Sequence, residues 1–266
     1  MNINELMPPP WLMYPHILQG SIGWRMGYGE DYMMRFTQWF RSLDESNQEE
    51  YKRLFPGPLD FIGWYGSYDP SLRTKFNIDW VIDNIENGFL FFWGHQPSKD
   101  GKISKSCLSQ WWNCDFQVGH LTYSSAEQYM MTCKARLFRD NDIEKKIMNS
   151  NDPKEIKDLG RKVHNFDVTI WDKNKYQFVV RGNYCKFVQN LKLREFLLST
   201  SDIILVEASA YDNVWGIGMA EGDEGIDDPC NWKGTNYLGY ALMEVRENIR
   251  LAYKNASNLD FKSWEE

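Results

Sequence analysis

Apolar residues recur at helical spacing in several segments of the chain. Met33, Phe36, Trp39 and Phe40 share one face, which predicts a helix over 30–43. The same kind of pattern, together with cap and breaker residues, predicts further helices over 47–54, 79–86 (ending at Gly88), 142–150, 153–163, 171–190 (weakened by Gly182), 193–200, and from about 235 onward. Helices therefore dominate the predicted secondary structure.

Strand signals are few. The run "FLFFWG" beginning at Phe89 and the run "DIILVE" ending at Glu207 predict two buried strands, and a third strand is predicted within 108–118. The opening "PPPWLMYP" is predicted to be extended over the surface, and "PGPLDFIGWYGSYDP" (56–70) to form a long loop. Few strands without alternating helices predict the α+β class: one predominantly helical domain with an N-terminal helical extension.

Composition narrows the classes of function. The 266 residues are 42% hydrophobic and 15% aromatic, and the net charge of −7 argues against a broad surface for nucleic acid. A small basic pocket for one nucleotide is still compatible with that charge. The five cysteines form no CxxC pair, so we expect reduced thiols, several of them buried, in a cytoplasmic protein.

Metal and membrane roles have little support. The four histidines are scattered without HxxxH spacing, so we expect no zinc site. The longest apolar run, Phe89 to Trp93, is far too short to span a bilayer. The N-terminus shows no basic region followed by an apolar stretch, so no secretion signal is expected.

The glycines in "WGIGMAEG" superficially suggest a dinucleotide fingerprint. After Gly216 and Gly218, however, the third glycine falls one place late at Gly222, and no helix start follows. A phosphate-loop lysine motif and a GxSxG motif are also missing from the sequence. Hydride transfer, nucleotide hydrolysis and serine hydrolysis therefore lose support.

The stretch "TYSSAEQY" places Glu127 three residues after Ser124, which is the spacing of a capping box. In that position the helix macrodipole would favour the ionised carboxylate. Glu127, Met131, Lys134 and Phe138 share a face of the predicted helix. A carboxylate and an ammonium on one face usually form a surface ion pair, but the flanking apolar residues predict that this face is partly enclosed.

A second carboxylate stands in the stretch Asp212-Asn213-Val214-Trp215-Gly216, five residues after Glu207. One interpretation is an Asx-turn beside a core tryptophan. The other is a carboxylate beside a flat aromatic, with glycines that let the backbone approach a ligand. Lys186 and Arg161 are cations that could face phosphate, although each, taken alone, is more often a solvated helix charge.

The order of several motifs resembles one known family. The blocks "FWGHQPSKDGKISKSCLSQWW", "TYSSAEQYMMTCKARLF", "DPKEIKDLGRKV", "WDKNKYQFVVRGNYCKF", "LREFLLST", "LVEASAYDNVWGIG" and "NYLGYALMEVRE" follow the order of motifs in the NADAR (NAD- and ADP-ribose-associated) family, which includes riboflavin-biosynthesis-intermediate N-glycosidases. The resemblance covers about 89–249. Gln128 departs from it, because many relatives carry histidine there.

The resemblance implies a hydrolase acting on the N-glycosidic bond of a ribosyl or ADP-ribosyl substrate, either a riboflavin-pathway intermediate or ADP-ribosylated guanine. It implies contact with modified nucleic acid in the second case, and no cofactor or metal. The residues implied as catalytic are Glu127, Asp212 and Trp171. It also implies that Trp215 and Lys186 bind substrate. From the residues themselves we predict further substrate-binding residues, which are Gly216, Gly218, Arg161, Lys134, Asn236 and Glu207.

The roles of the two carboxylates stay open at this point. Glu127 is predicted to act as base and cation stabiliser and Asp212 to bind ribose or orient water, but the two could exchange roles. A non-catalytic ADP-ribose or NAD-binding module is the alternative function. The predicted division is an N-terminal extension over 1–88 packed on the core, a NADAR-like domain over 89–253 and a tail over 254–266.

A third possibility is a structural or partner-binding role for 1–88. Its tryptophans would otherwise pack against the core, which is the more frequent role of such residues. They are Trp11, Trp24, Trp39, Trp64 and Trp80.

Overall fold

The computed structural model describes residues 2–17, 19–58, 61 and 75–265. Its helices in chain order are α1 (Pro10–Met13), α2 (Tyr28–Ser42), α3 (Glu45–Leu54), α4 (Ile78–Asp83), α5 (Ala126–Leu137), α6 (Asn141–Met148), α7 (Pro153–Arg161), α8 (Val168–Gln189), α9 (Leu191–Ser199) and α10 (Tyr237–Tyr253). Its strands are β1 (Phe89–Phe92), β2 (Phe116–Val118), β3 (Leu121–Tyr123) and β4 (Ile204–Glu207). This composition confirms the predicted α+β class.

The chain divides into two compact units. One comprises Met1–Leu72, Gln117–Leu121 and Glu247–Glu266, and the other comprises Arg73–Phe116 and Thr122–Arg246. The first unit is built on an apolar cluster that contains Trp11, with Trp24 and Trp39 packed against it. Trp80 packs edge-on against Phe76 in the second unit, and Trp64 lies outside the described residues.

The proline-rich opening corrects one prediction. The segment was expected to be extended over the surface, but Pro10 begins the short helix α1, and Pro10, Trp11, Leu12 and Met13 are all buried. Proline is well suited to the first turn of a helix because it lacks the N–H that would have no partner there. The loop predicted over 56–70 lies mostly outside the described residues.

The second unit contains a parallel pair of strands surrounded by helices. β1 and β4 pair in register from Phe89 with Ile204 to Phe92 with Glu207, and both strands lie where their β-branched and aromatic runs predicted them. The third predicted strand is largely wrong. Within 108–118 only Phe116–Val118 is a strand, and it forms a separate two-stranded sheet with β3.

Helix α8 confirms the long helix predicted around Gly182, and a close contact explains the glycine. A Cβ on Gly182 would lie 2.6 Å from Cδ1 of the buried Tyr129 ring. A Cβ on Gly160 of α7 would instead meet the Met131 sulfur, which is the flexible part of a side chain. The two glycines therefore allow α8 and α7 to approach α5 closely.

We expect the substitution Gly182→Ala to destabilise the protein despite the higher helix propensity of alanine. Overpacking against an aromatic ring costs about 1–3 kcal/mol, which exceeds the roughly 1 kcal/mol gained in propensity. Gly160→Ala is the matched control, and it should cost less because Met131 can change rotamer. Thermal unfolding of the two variants checks this, and a higher melting temperature for Gly182→Ala than for the wild type would contradict it.

Candidate active site

The start of α5 lies one residue later than the sequence predicted. Ser125 is the N-cap, and its hydroxyl accepts a hydrogen bond from the Gln128 amide. The Gln128 side chain completes the box, because its Oε1 accepts from the Ser124 amide at 2.7 Å. The predicted capping role of Glu127 is therefore wrong: Gln128 occupies that position, and the Glu127 carboxylate has no part in the cap.

Glu127 instead projects into a cavity. Its backbone amide donates to the Gln110 carbonyl at 2.9 Å, and its residue is only 4% exposed. Trp111 donates a hydrogen bond to the carboxylate. The side chain is thus held by the 110–111 segment on one side and by the first turn of α5 on the other.

The cavity has a volume of about 840 Å³, which is within the range of small-molecule sites. Its walls come from the segment after β1 (93–96), the 109–111 segment, one face each of α5, α7 and α8, and the segment that follows β4. Seven of the residues predicted from the sequence as catalytic or substrate-binding line it together: Glu127, Lys134, Arg161, Trp171, Glu207, Asp212 and Trp215.

Burial raises the pKa of two cavity carboxyls. Desolvation raises the pKa of Glu127 to about 7, and the neighbouring Asp212 charge adds to this, while Lys157 and Arg161 act in the opposite direction. Desolvation, with the charges of Asp212 and Glu127, raises the pKa of Glu207 to about 8. At Glu127 the loss of hydration therefore opposes the helix dipole, which favours the ionised carboxylate.

Asp212 forms the Asx-turn of the first interpretation and also lines the cavity. Its Oδ1 accepts from the amides of Val214 at 2.9 Å and Trp215 at 2.8 Å, which is an Asx-turn. Asp212, Val214 and Trp215 also line the cavity. The turn thus fixes the Asp212 carboxylate relative to the backbone of Trp215.

Cations and aromatic rings alternate along the helical side of the cavity. The Lys134 ammonium lies 5.4 Å from the centre of the Trp171 ring, and the Lys157 ammonium lies 5.5 Å from that of Trp111. Burial lowers the pKa of Lys134, and the negative charge of Glu127 opposes this. Arg161 also lines the cavity while it pairs with Asp158 at 2.9 Å. A ligand with flat and anionic parts fits such a lining.

Four other residues predicted as substrate-binding do not line the cavity. Lys186 is fully buried and donates to the carbonyls of Cys107 at 2.7 Å and Ser109 at 2.8 Å. Asn236 is also fully buried and connects its side chain to the backbone of Leu205 and Glu207. Both side chains therefore support the walls, which is a correction to their predicted contact with phosphate or substrate.

The glycines of the WGIG stretch have a similar supporting role. A Cβ on Gly216 would lie 2.9 Å from the Glu207 carbonyl oxygen. Gly218 has a φ of +66°, and a Cβ there would meet Asn213 Oδ1 at 2.5 Å. Both positions are needed to fold the chain back against β4, and neither lines the cavity.

Several lining residues were not among the predicted site residues. Trp111 and Lys157 contact or influence Glu127, and both stand within the motif blocks, where no spacing singles them out. Trp93 and Tyr211, which are 61% and 94% exposed, lie at the rim. Exposure of large aromatics beside a cavity is a signal that only the structure can provide.

Two negative findings apply to the described part of the chain. Within residues 2–17, 19–58, 61 and 75–265, no cluster of three or more histidine, cysteine or acidic side chains could hold a metal ion. In the same part of the chain, every helix is too short or too polar to cross a membrane.

Comparison with known proteins places these features in context. A sequence model of the NADAR domain matches residues 91–250. N-glycosidase R617 of Acanthamoeba polyphaga mimivirus is 42% identical over 165 residues, which are 60% of this chain and 95% of that protein. N-glycosidase Npun_R5314 of Nostoc punctiforme is 31% identical over 54% of this chain and 85% of its own length. Riboflavin biosynthesis protein PYRR of Zea mays is 35% identical over 83% of this chain, but over only 35% of its own length.

Proposed function

The chain belongs to the NADAR domain family, and we propose that it hydrolyses the N-glycosidic bond of a ribosyl or ADP-ribosyl substrate. The observation that carries this proposal is the group of three carboxylates, Glu127, Glu207 and Asp212, in one cavity lined by tryptophans. Two relatives that are named as N-glycosidases support it.

The chemistry of the bond requires such a group. Breaking the C1′–N bond develops positive charge on the ribose ring, which an ionised carboxylate stabilises. We assign Glu127 to this role and to accepting a proton from the attacking water, since its pKa of about 7 is near the ambient pH. Asp212, fixed by its turn, is placed to bind a ribose hydroxyl or to orient that water.

The remaining lining residues would bind the two ends of the substrate. Trp171 and Trp215 offer flat apolar surfaces for the base. Lys134, Lys157 and Arg161 offer positive charge for phosphate groups. Water, carboxylates and these binding groups suffice for the reaction, so the proposal includes no cofactor.

The substrate itself is proposed in two forms. A riboflavin-pathway intermediate is one, supported by the maize relative, which is named as a riboflavin biosynthesis protein. ADP-ribosylated guanine, alone or in a nucleic acid strand, is the other, and it rests on the family resemblance of the motifs. The free cysteines support a cytoplasmic location as part of the same proposal.

We also propose the domain limits on this basis. The segment 89–253 would be the catalytic domain, which the match over 91–250 supports. The segment 1–88 would be an extension, and 254–266 a tail.

Incubation with a panel of glycosides tests the proposed function. The panel contains pyrimidine ribosyl-phosphate intermediates, ADP-ribosylated guanosine and ADP-ribosylated single-stranded DNA, and mass spectrometry detects the released base and sugar. We expect cleavage of at least one substrate, with the matched unmodified nucleoside as a control. Tight binding of ADP-ribose in calorimetry without any cleavage would instead favour a binding module. If the protein neither cleaves a panel substrate nor binds ADP-ribose, both proposed functions are contradicted.

A further inference from the structure

The backbone of Glu207 is fixed on every side. Its amide donates to Asn236 Oδ1 at 3.0 Å, and its carbonyl accepts from the amides of Ser209 and Ile217, both at 3.0 Å. It also stands opposite Phe92 in the parallel strand pair. The close approach of Gly216 to the Glu207 carbonyl completes this enclosure. The origin of the Glu207 side chain is thus defined by strand pairing rather than by a loop.

Unlike its backbone, the Glu207 carboxyl group is not fully hydrogen-bonded. Glu207 lines the cavity, yet its buried Oε2 has no hydrogen-bond partner among the described residues. A buried polar atom without a partner costs free energy, and native proteins rarely retain one without a functional reason. Because the surrounding backbone is so firmly held, the chain has positioned this oxygen and left it free for a group that enters the cavity.

The other cavity carboxylates are engaged elsewhere. Glu127 accepts a hydrogen bond from Trp111, and Asp212 Oδ1 accepts two amides of its own turn. Glu207 alone among these three combines a cavity position with an unpartnered buried oxygen.

We propose that Glu207 is the proton donor to the leaving nitrogen, which goes beyond the substrate-binding role that the sequence predicted for it. This inference rests on the proposed function. As the C1′–N bond breaks, its electron pair stays on the nitrogen, which takes the proton from the Glu207 carboxyl. Water then adds its oxygen to C1′ and gives one proton to the Glu127 carboxylate. The products are the free base and a sugar with a C1′ hydroxyl, and proton exchange with solvent restores both carboxyls.

The electrostatic surroundings of Glu207 support a protonated carboxyl. Burial and the charges of Asp212 and Glu127 raise its pKa to about 8, against the attraction of Lys157. The other titratable groups that face the cavity are His95, Lys134, Arg161, Asp172, Lys175 and Tyr211. Asp172 pairs with Lys175 at 2.6 Å, so the positive charge of Lys175 neutralises the negative charge of this carboxylate.

The variant Glu207→Gln tests the assignment on whichever panel substrate the wild type cleaves. Glutamine keeps the shape of the side chain but cannot donate as an acid, so we expect kcat to fall by about 10²–10⁴-fold. The KM should change little, because the proton is transferred only in the transition state. Asp212→Asn is the matched comparison: its alkaline limb should persist, shifted to lower pH because the Asp212 charge no longer raises the pKa of Glu207.

The pH profile separates an acid from a binding residue. A donor must be protonated, so wild-type kcat should fall as the pH rises through about 8. A base must be ionised, so kcat should also fall as the pH drops through about 7. Because Glu127 and Glu207 interact, the two limbs of the kcat profile report the apparent pKa values of this pair of carboxyls together. In Glu207→Gln, measured by single turnover, the alkaline limb should disappear while the acidic limb remains.

The outcomes distinguish this inference from the proposed function. If Glu207→Gln keeps the alkaline limb, or changes KM alone, Glu207 is not the donor although the protein is a glycosidase. If Glu207→Gln fails to fold, the pH profile of the wild type still tests the inference. A wild-type kcat that does not fall as the pH rises through about 8 would overturn it. A wild type that cleaves no panel substrate overturns the proposed function, and the donor role with it.

Discussion

Replacing Glu127 by glutamine should lower turnover by about 10²–10⁴-fold, the usual contribution of a positioned base. Glutamine keeps an oxygen that can accept the Trp111 hydrogen bond, but it can neither take the proton from water nor stabilise a ribosyl cation by charge. Single-turnover hydrolysis of the cleaved panel substrate measures the effect. Binding of the intact substrate should change by less than about tenfold, because the positive charge develops only in the transition state.

The same substitution should not lower stability. Burial raises the folded-state pKa of Glu127 above its ordinary value of 4.5 to about 7. Between these two pH values the folded state holds a proton that the unfolded state releases, so the wild-type free energy of unfolding falls as the pH rises through this window. Glutamine removes this contribution. We expect Glu127→Gln to melt at the wild-type temperature or above it at pH 8.

Gln128→Ala is the matched control for that result. Its amide donates to the carbonyls of Ile147 and Ser150, and its oxygen caps the start of α5. This variant should melt earlier and keep its turnover at a temperature where it is folded. The catalytic role of Glu127 would be contradicted if Glu127→Gln were fully active. It would also be contradicted if Glu127→Gln failed to fold.

Helix positions in this protein could be read from the sequence because they depend on local patterns. The predictions for α2, α6 and α7 agree with the structure within a few residues, since each has a cap residue or a clear apolar face. The start of α5 was misplaced by one residue because Ser124 and Ser125 are both good caps. Only the backbone geometry decides between two adjacent serines.

Other predictions failed where burial decides the conformation. The "PPPWLMYP" segment has no periodic pattern, and its helix is stabilised by packing of Trp11 and Leu12 into an apolar cluster. Within 108–118 the apolar residues suggested a strand, but 105–108 form a short 3₁₀ turn and the next residues lead into the cavity wall. Tertiary contacts of this kind leave no regular spacing in the sequence.

The candidate site was predictable in part for a similar reason. Motif order identified Glu127, Trp171, Asp212 and Trp215, which the structure places around one cavity. It could not separate residues that line the cavity from those that support its walls, because both occur within the same motifs. Lys186 is the clearest example of the second kind.

The substitution Lys186→Met should therefore destabilise the protein rather than merely weaken binding. Methionine fills a similar volume but removes the ammonium that donates to the carbonyls of Cys107 and Ser109. Two buried acceptors without a donor cost about 2–4 kcal/mol in total, and relief of the buried charge offsets only part of this. We expect the melting temperature to fall by about 5–10 °C.

Lys192→Met provides the matched control, because Lys192 is exposed on the neighbouring helix α9. This change should alter the free energy of unfolding by no more than about 0.5 kcal/mol. Because Ser109 and Trp111 belong to the wall that Lys186 supports, turnover of the folded Lys186→Met variant should also decrease. If this variant instead melts like the wild type and loses only affinity for a phosphorylated substrate, Lys186 binds phosphate directly and the supporting role is wrong.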